Sequence, residues 1–118
     1  MGRALAKLLG ADRISQASNE VVWQGKRAVI KSCRPGTSSF GVTSTMLPRL
    51  QSILAGFEDE RGEVQVWELD AGKFKAAMYD SRSASAVGGK VKLVTRSYAR
   101  TEGRAVGRFT KAEIQAAT

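Results

Sequence analysis

The chain has no histidine, one cysteine and two prolines among its 118 residues. Without histidine it lacks the usual general base and any His-containing zinc site, and a single cysteine excludes an internal disulfide. No apolar run reaches the roughly 18 residues of a membrane-spanning helix, and the charged N-terminal segment does not resemble a secretory leader. These absences predict a cytoplasmic protein, in which carboxylates would have to hold any metal.

Positive charge is what the chain has in excess. It has 19 lysines and arginines against 11 acidic residues, a net charge of +8. Residues 1–70 carry 9 basic and 8 acidic residues, whereas residues 71–118 carry 10 basic and 3 acidic residues. Such a basic segment is typical of proteins that bind a polyanion, although charge also serves solubility alone. We expect nucleic acid to be the partner, with DNA favoured over RNA, and we expect no membrane.

The N-terminal part predicts a helix followed by a β-hairpin. Apolar residues recur at helical spacing in Arg3–Leu9, and Gly10 suits the end of that helix. Residues 12–19 would lead into the hairpin as loop or extended chain. Within Glu20–Arg34, two apolar runs flank Gly25, which can adopt the positive φ of a tight turn.

The clearest helical pattern follows the loop Pro35–Ser39. Between Thr43 and Phe57 the apolar residues at helical spacing are Leu47, Leu50, Ile53, Leu54 and Phe57. Pro48 disfavours a helical conformation at the residue before it, so the regular helix should begin near Leu47.

The second half predicts strands and short helices. The predicted elements are a strand at Glu63–Leu69, a helix from Asp70 to Met78, a flexible loop at residues 81–89, a strand at Lys90–Tyr98, a returning strand at Arg104–Phe109 and a final helix begun by the capping-box spacing of Thr110 and Glu113. Residues 1–118 would thus form one basic globular domain of α+β, or α/β, class. We expect a mixed sheet of about five strands, packed by the central helix and short flanking helices.

A basic ribbon near the C-terminus is the predicted nucleic-acid surface. Residues two apart on a strand share a face, so Lys90, Lys92 and Arg96 would lie together. A turn at residues 101–103 would bring Arg104 and Arg108 beside them, with the Tyr98 ring available to stack on a base or to pack against the protein. The predicted nucleic-acid-binding residues are Lys31, Arg34, Arg82, Lys90, Lys92, Arg96, Arg100, Arg104 and Arg108. The alternative interpretation is the solvated outer face of a half-buried sheet.

The element order over residues 1–69, helix, extended segment, hairpin, helix and strand, resembles the core of the PD-(D/E)XK nuclease superfamily. In that family, carboxylates and a strand lysine gather Mg²⁺ and activate water. The resemblance places Lys31 at the motif lysine and Glu20, or more distantly Asp12, at the first acid, whereas Val29 stands where the family has another carboxylate. It implies a Mg²⁺-dependent nuclease using Glu20 and Lys31, or a degenerate member that binds nucleic acid without cutting it.

The favoured function is therefore nucleic-acid binding through phosphates, without a cofactor and without catalysis. A protein-interaction module is a further alternative, with a homodimer formed through the edge of the Lys90–Tyr98 strand. Neighbouring cations would lower the pKa of the Cys33 thiol. With no histidine partner, Cys33 is interpreted as a small buried hydrophobic residue, and Trp23 and Trp67 are assigned to the core.

Overall fold

The computed structural model describes residues 1–15, 18–81 and 90–118. The helices in these ranges are α1 (Gly2–Leu9), α2 (Ala71–Ala77), α3 (Arg96–Glu102) and α4 (Lys111–Ala116), with a 3-10 turn at Leu47–Arg49. The strands are β1 (Asp12–Arg13), β2 (Glu20–Trp23), β3 (Lys26–Cys33), β4 (Ser39–Thr43), β5 (Ser52–Glu58), β6 (Val64–Asp70), β7 (Tyr79–Asp80), β8 (Val91–Thr95) and β9 (Arg104–Phe109).

The strands of the described residues form two sheets. The larger has the order β1-β2-β3-β5-β6-β9 and the smaller has the order β4-β8-β7. β3 and β5 are parallel, and the other strand pairs in these ranges are antiparallel. The predicted α+β class is confirmed, with more strands than the five or so expected.

Both faces of the larger sheet are covered. Face 1 packs against α1 and α4, and its core includes Leu5. Face 2 packs against the smaller sheet, α2 and α3, and its core includes Phe74. Consecutive residues on the central strand β5, Ile53 and Leu54, are both 0% exposed although they point to opposite faces.

The predicted hairpin and N-terminal helix are confirmed. β2 and β3 pair through a two-residue turn in which Gln24 and Gly25 have φ values of 50° and 74°, and two positive values match the twist of the paired strands. α1 ends at Gly10, where a φ of 69° directs the backbone N–H to carbonyls of the last turn. Trp23 is buried at 3% exposure, and Trp67 packs half-buried against the core of face 2, as predicted.

The helix predicted within Thr43–Phe57 is wrong. Only the short 3-10 turn Leu47–Arg49 is helical there, and it is followed by β5. Ser52–Phe57 is buried throughout, because both sides of the strand are covered. A strand of this kind shows a continuous apolar run in place of alternation, and periodicity alone does not distinguish such a run from a buried helix.

The C-terminal half also differs from its prediction. The basic strand ends at Thr95, whose side chain accepts a hydrogen bond from the backbone N–H of Tyr98 and caps α3. The turn predicted at residues 101–103 is the end of that helix. As a result, β9 pairs with β6 in the larger sheet and not with β8.

The remaining predicted segments are one strand, two helices and one loop. The strand after the charged turn is confirmed as β6, and the helices after Asp70 and Thr110 are confirmed together with their caps. Of the flexible loop predicted at residues 81–89, all but Ser81 lies outside the described residues. No helix in the described ranges has the length and apolar character needed to cross a membrane.

Gly103 joins α3 to β9 at a position where no side chain fits. A Cβ there would overlap the backbone oxygen of Ala99 and lie 2.8 Å from that of Glu68. We expect Gly103→Ala to lower the free energy of unfolding by about 1–3 kcal/mol, the usual cost of overpacking, in urea denaturation. Thr101→Ala, an exposed change on the same helix, should stay close to the wild type. Wild-type stability in Gly103→Ala would contradict this packing.

Candidate anion-binding site

The predicted basic ribbon does not assemble. Lys92 of β8 forms an ion pair with Asp80 of β7, and Lys90 lies exposed just before β8. Arg96 follows the opposite end of the strand, about 20 Å from Lys90 at roughly 3.3 Å per residue. β8 pairs with β4 on one side, and on the other side β7 pairs with Lys92 and Leu93, so the edge on which a homodimer was predicted is partly covered. Tyr98 is half-buried and its hydroxyl donates to the carbonyl of Lys73, so the ring is not available for stacking.

A β-bulge separates the two arginines of β9. Arg108 pairs with Gln65, whereas Arg104 pairs with Glu68, and the register shifts between these pairs around Val106. Residues four apart on a regular strand would share a face, but one extra residue reverses the alternation. Arg108 therefore lies on face 2 and Arg104 on face 1, and the prediction that they share a surface is wrong.

Glu68 on face 1 is the centre of a buried ion-pair cluster. Its carboxylate accepts hydrogen bonds from Lys26, from Arg104 at 2.7 Å and from the Ser52 hydroxyl at 2.9 Å. Burial raises the pKa of Glu68, but these donors outweigh burial and the pKa is lowered overall. The cluster connects β3, β5, β6 and β9. Arg104 therefore stabilises the sheet by pairing with Glu68.

Glu20, the candidate nuclease acid, is the centre of a second cluster on face 2. It is 6% exposed and pairs with Arg27 at 3.0 Å and Arg49 at 2.6 Å. The hydrogen bond from Arg49 lowers the pKa of Glu20 against burial, with help from Arg27. Lys31 lies two residues beyond Val29, the cross-strand partner of Glu20, and burial lowers the pKa of this lysine. Within the described ranges no group of three acidic, cysteine or histidine residues is arranged to hold a metal ion.

A cluster of arginines forms on face 2, where β3 and β5 end. One row of cross-strand partners consists of Cys33, Phe57, Gln65 and Arg108. α3 crosses this row, and the guanidinium carbons of Arg96 and Arg100 lie 5.1 Å and 5.9 Å from the centre of the Phe57 ring. These distances are typical of cation–π contacts, which hold a guanidinium over a ring.

A cavity of about 90 Å³ lies between α3 and this row, and we name it the arginine cleft. Its lining residues are Phe57, Asp59, Glu63, Gln65, Arg96, Arg100 and Arg108. The residues come from β5, the turn after it, β6, α3 and β9, so the cleft depends on the assembled fold. Guanidinium groups in such an arrangement can bind a carboxylate or phosphate through charge-assisted hydrogen bonds.

Two arginines of the cleft have no carboxylate partner in the part of the chain that the structure describes. Nε of Arg108 lies 2.6 Å from Glu63, and Asp59 accepts backbone N–H groups of its own turn. Arg96 and Arg100 form no ion pair there, and Nε of Arg96 is buried without a hydrogen-bond partner. Nε of Arg96 is closed even to water, so an anion in the cleft would be bound through the outer guanidinium N–H groups of Arg96 and Arg100, which no carboxylate of the described residues holds.

Cys33 lies beside the cleft but is not activated by it. Burial raises the pKa of the Cys33 thiol and outweighs the opposing charges of Arg96 and Lys31. The predicted lowering is wrong, and a protonated thiol is a poor nucleophile. Its interpretation as a small buried residue is confirmed. Arg34, the next residue, is exposed at the end of β3, and Arg82 lies outside the described residues.

No protein-family model matches the chain, and no curated protein matches its sequence.

The sequence predicts Arg96, Arg100 and Arg108 as phosphate contacts but does not indicate Phe57 or Gln65. No local motif connects these residues, because they meet through the pairing of β5, β6 and β9 and the packing of α3.

The Glu68 cluster makes a prediction for acid stability. The pKa of Glu68 is lower in the folded state than in the unfolded chain, so its contribution is complete above the unfolded value of about 4.5 and is lost as the pH falls through the folded value. We expect Glu68→Gln to lower the free energy of unfolding by about 1–3 kcal/mol at neutral pH. In denaturant unfolding, the difference in the free energy of unfolding between the wild type and Glu68→Gln should become smaller below about pH 4.

Glu102→Gln is the matched control for that measurement. Glu102 is half-exposed and its distance to Lys73 is 3.9 Å, so removing its charge should change stability little. A difference between wild type and Glu68→Gln that does not vary with pH would contradict the charge pairing of Glu68.

Proposed function

We propose that the protein binds nucleic acid, with DNA favoured over RNA, by contacting phosphates at the arginine cleft and without catalysis. One observation carries the proposal: Arg96 and Arg100 lie together over Phe57, and neither has a carboxylate partner within the described residues. The net charge of +8 adds a long-range attraction to a polyanion. A cytoplasmic location is part of the same proposal.

The proposed contact surface differs from the basic ribbon predicted from the sequence. Arg108 lies on the side of the cleft, and Lys31 is nearby but partly buried. Arg34 lines a separate pocket with Met1, Ser32 and Glu58. Arg104 is directed to the opposite face of the sheet, and Lys92 is held by Asp80. Cations that already neutralise a carboxylate add little to phosphate binding, so we centre the interface on the cleft.

Cleavage of nucleic acid at Glu20 and Lys31 is a separate hypothesis that follows from the resemblance to PD-(D/E)XK nucleases. Both carboxylate oxygens of Glu20 accept hydrogen bonds from arginines, and Mg²⁺ would have to displace at least one of them. Mg²⁺-dependent cleavage that is lost in Glu20→Gln and in Lys31→Ala would support a nuclease. Cleavage that persists unchanged in both variants would exclude that site.

Self-association is a second candidate function, favoured by the position of β9. This six-residue strand ends the larger sheet, and its outer edge has no partner strand among the described residues. An unpaired edge can accept a strand of a second copy through backbone hydrogen bonds. A dimer of this kind should persist in sedimentation at high salt, whereas an association driven by charge should dissociate.

The nucleic-acid proposal is tested by fluorescence anisotropy with labelled duplex DNA, single-stranded DNA and RNA at several salt concentrations. Arg96→Ala/Arg100→Ala should weaken binding to each nucleic acid. On duplex DNA the log-log salt slope should fall by about 2, because each neutralised phosphate contributes roughly 0.9. Binding of wild-type affinity by this variant would contradict an interface at the cleft.

The matched control removes two cations from the other side of the larger sheet. Arg3→Ala/Lys7→Ala changes the net charge by the same amount, and both residues are exposed on α1, which covers face 1. This control should retain most of the affinity. Equal losses in the two double variants would mean that net charge, and not the cleft, determines binding.

A further inference from the structure

The size of the arginine cleft limits what can enter it. Its volume is about 90 Å³. Pockets for drug-sized ligands have volumes of roughly 300–1,000 Å³. A nucleobase with its sugar therefore does not fit, whereas a single tetrahedral oxyanion does.

The donors of the cleft are more numerous than an internal phosphate requires. Arg96 and Arg100 approach from α3, while Glu63 holds Nε of Arg108 and leaves its two Nη groups to face the cleft or solvent. A phosphodiester has one negative charge and two unesterified oxygens. A phosphate monoester has three such oxygens, so each of the three guanidinium groups can bind one of them.

The surroundings of the cleft also favour a phosphate at the end of a nucleic-acid strand over a phosphate within it. A phosphodiester within a strand continues in two directions and needs an open groove, whereas α3 and the strand row enclose this small cavity from two sides. A phosphate at the end of a chain needs only one open side.

We propose that the arginine cleft binds the terminal phosphate monoester of an oligonucleotide. This inference rests on the proposed nucleic-acid binding and deepens it, because it makes the protein a binder of phosphorylated ends. Arg96 and Arg100 bind the phosphate oxygens, and Arg108 is positioned beside them by Glu63. The Phe57 ring packs against the guanidinium groups of Arg96 and Arg100 and holds them in place.

The test compares one oligonucleotide in three forms: with a 5′-phosphate, with a 3′-phosphate and with hydroxyl groups at both ends. We expect at least one phosphorylated form to bind about tenfold or more tightly than the hydroxyl form, as for a charge-assisted contact. Inorganic phosphate should compete with that phosphorylated form at concentrations that leave binding of the hydroxyl form unchanged.

Arg96→Lys/Arg100→Lys separates the cleft from general charge attraction. The double variant keeps the net charge but loses the planar, two-pronged donors of arginine, so the preference for the phosphorylated end should disappear while weaker general binding persists. Arg3→Lys on α1 is the matched control and should keep the preference. Circular dichroism and thermal unfolding confirm that each variant is folded.

The outcomes distinguish the two proposals. Equal affinity for all three forms would overturn the terminal-phosphate site and leave nucleic-acid binding in place. A preference that persists unchanged in Arg96→Lys/Arg100→Lys would also overturn the site, because another group would then bind the phosphate. No binding of any form at low salt would overturn both proposals.

Discussion

The parallel pairing of β3 with β5 is the constraint on which the rest of the structure depends. Parallel neighbours cannot be joined by a tight turn, so the chain leaves the larger sheet after Cys33 and returns to it at Ser52. The crossover contains β4, which pairs with β8 in the smaller sheet and covers face 2. α3 follows β8 directly and is thereby held over Phe57. The hydrophobic core of face 2 and the arginine cleft both depend on this one strand pairing.

Features that depend on neighbouring residues could be predicted from the sequence, and features that depend on distant pairing could not. The Gln24–Gly25 turn and the Asp70 and Thr110 caps are each encoded by a few adjacent residues whose φ or side-chain oxygen is decisive. β5 was predicted as a helix because its burial on both faces removes the alternation that marks a strand. The crossover supplies the elements that cover face 2 of β5. No residue within Ser52–Glu58 indicates that this cover is present.

A single residue decides where several of the predicted phosphate contacts lie. Arg104 and Arg108 would share a face on a regular strand, but the bulge at Val106 directs them to opposite faces. Thr95 has a similar effect, since its cap starts α3 and turns Arg96 and Arg100 away from the line of β8. Charge composition therefore indicates which segment holds the excess of cations but not which surface they form.

Ion pairing decides which cations remain available to a ligand. Withdrawing Arg104 would leave the buried Glu68 carboxylate with two donors in place of three, at a cost that solvent screening of the 64% exposed Arg104 side chain reduces. A phosphate would have to exceed that cost before Arg104 could bind it. Arg96 has no such commitment, because it forms no ion pair within the described residues. An anion could therefore bind its guanidinium group without breaking a favourable pair. The affinity of this surface for anions should therefore be concentrated at the cleft, although most of the positive charge lies elsewhere.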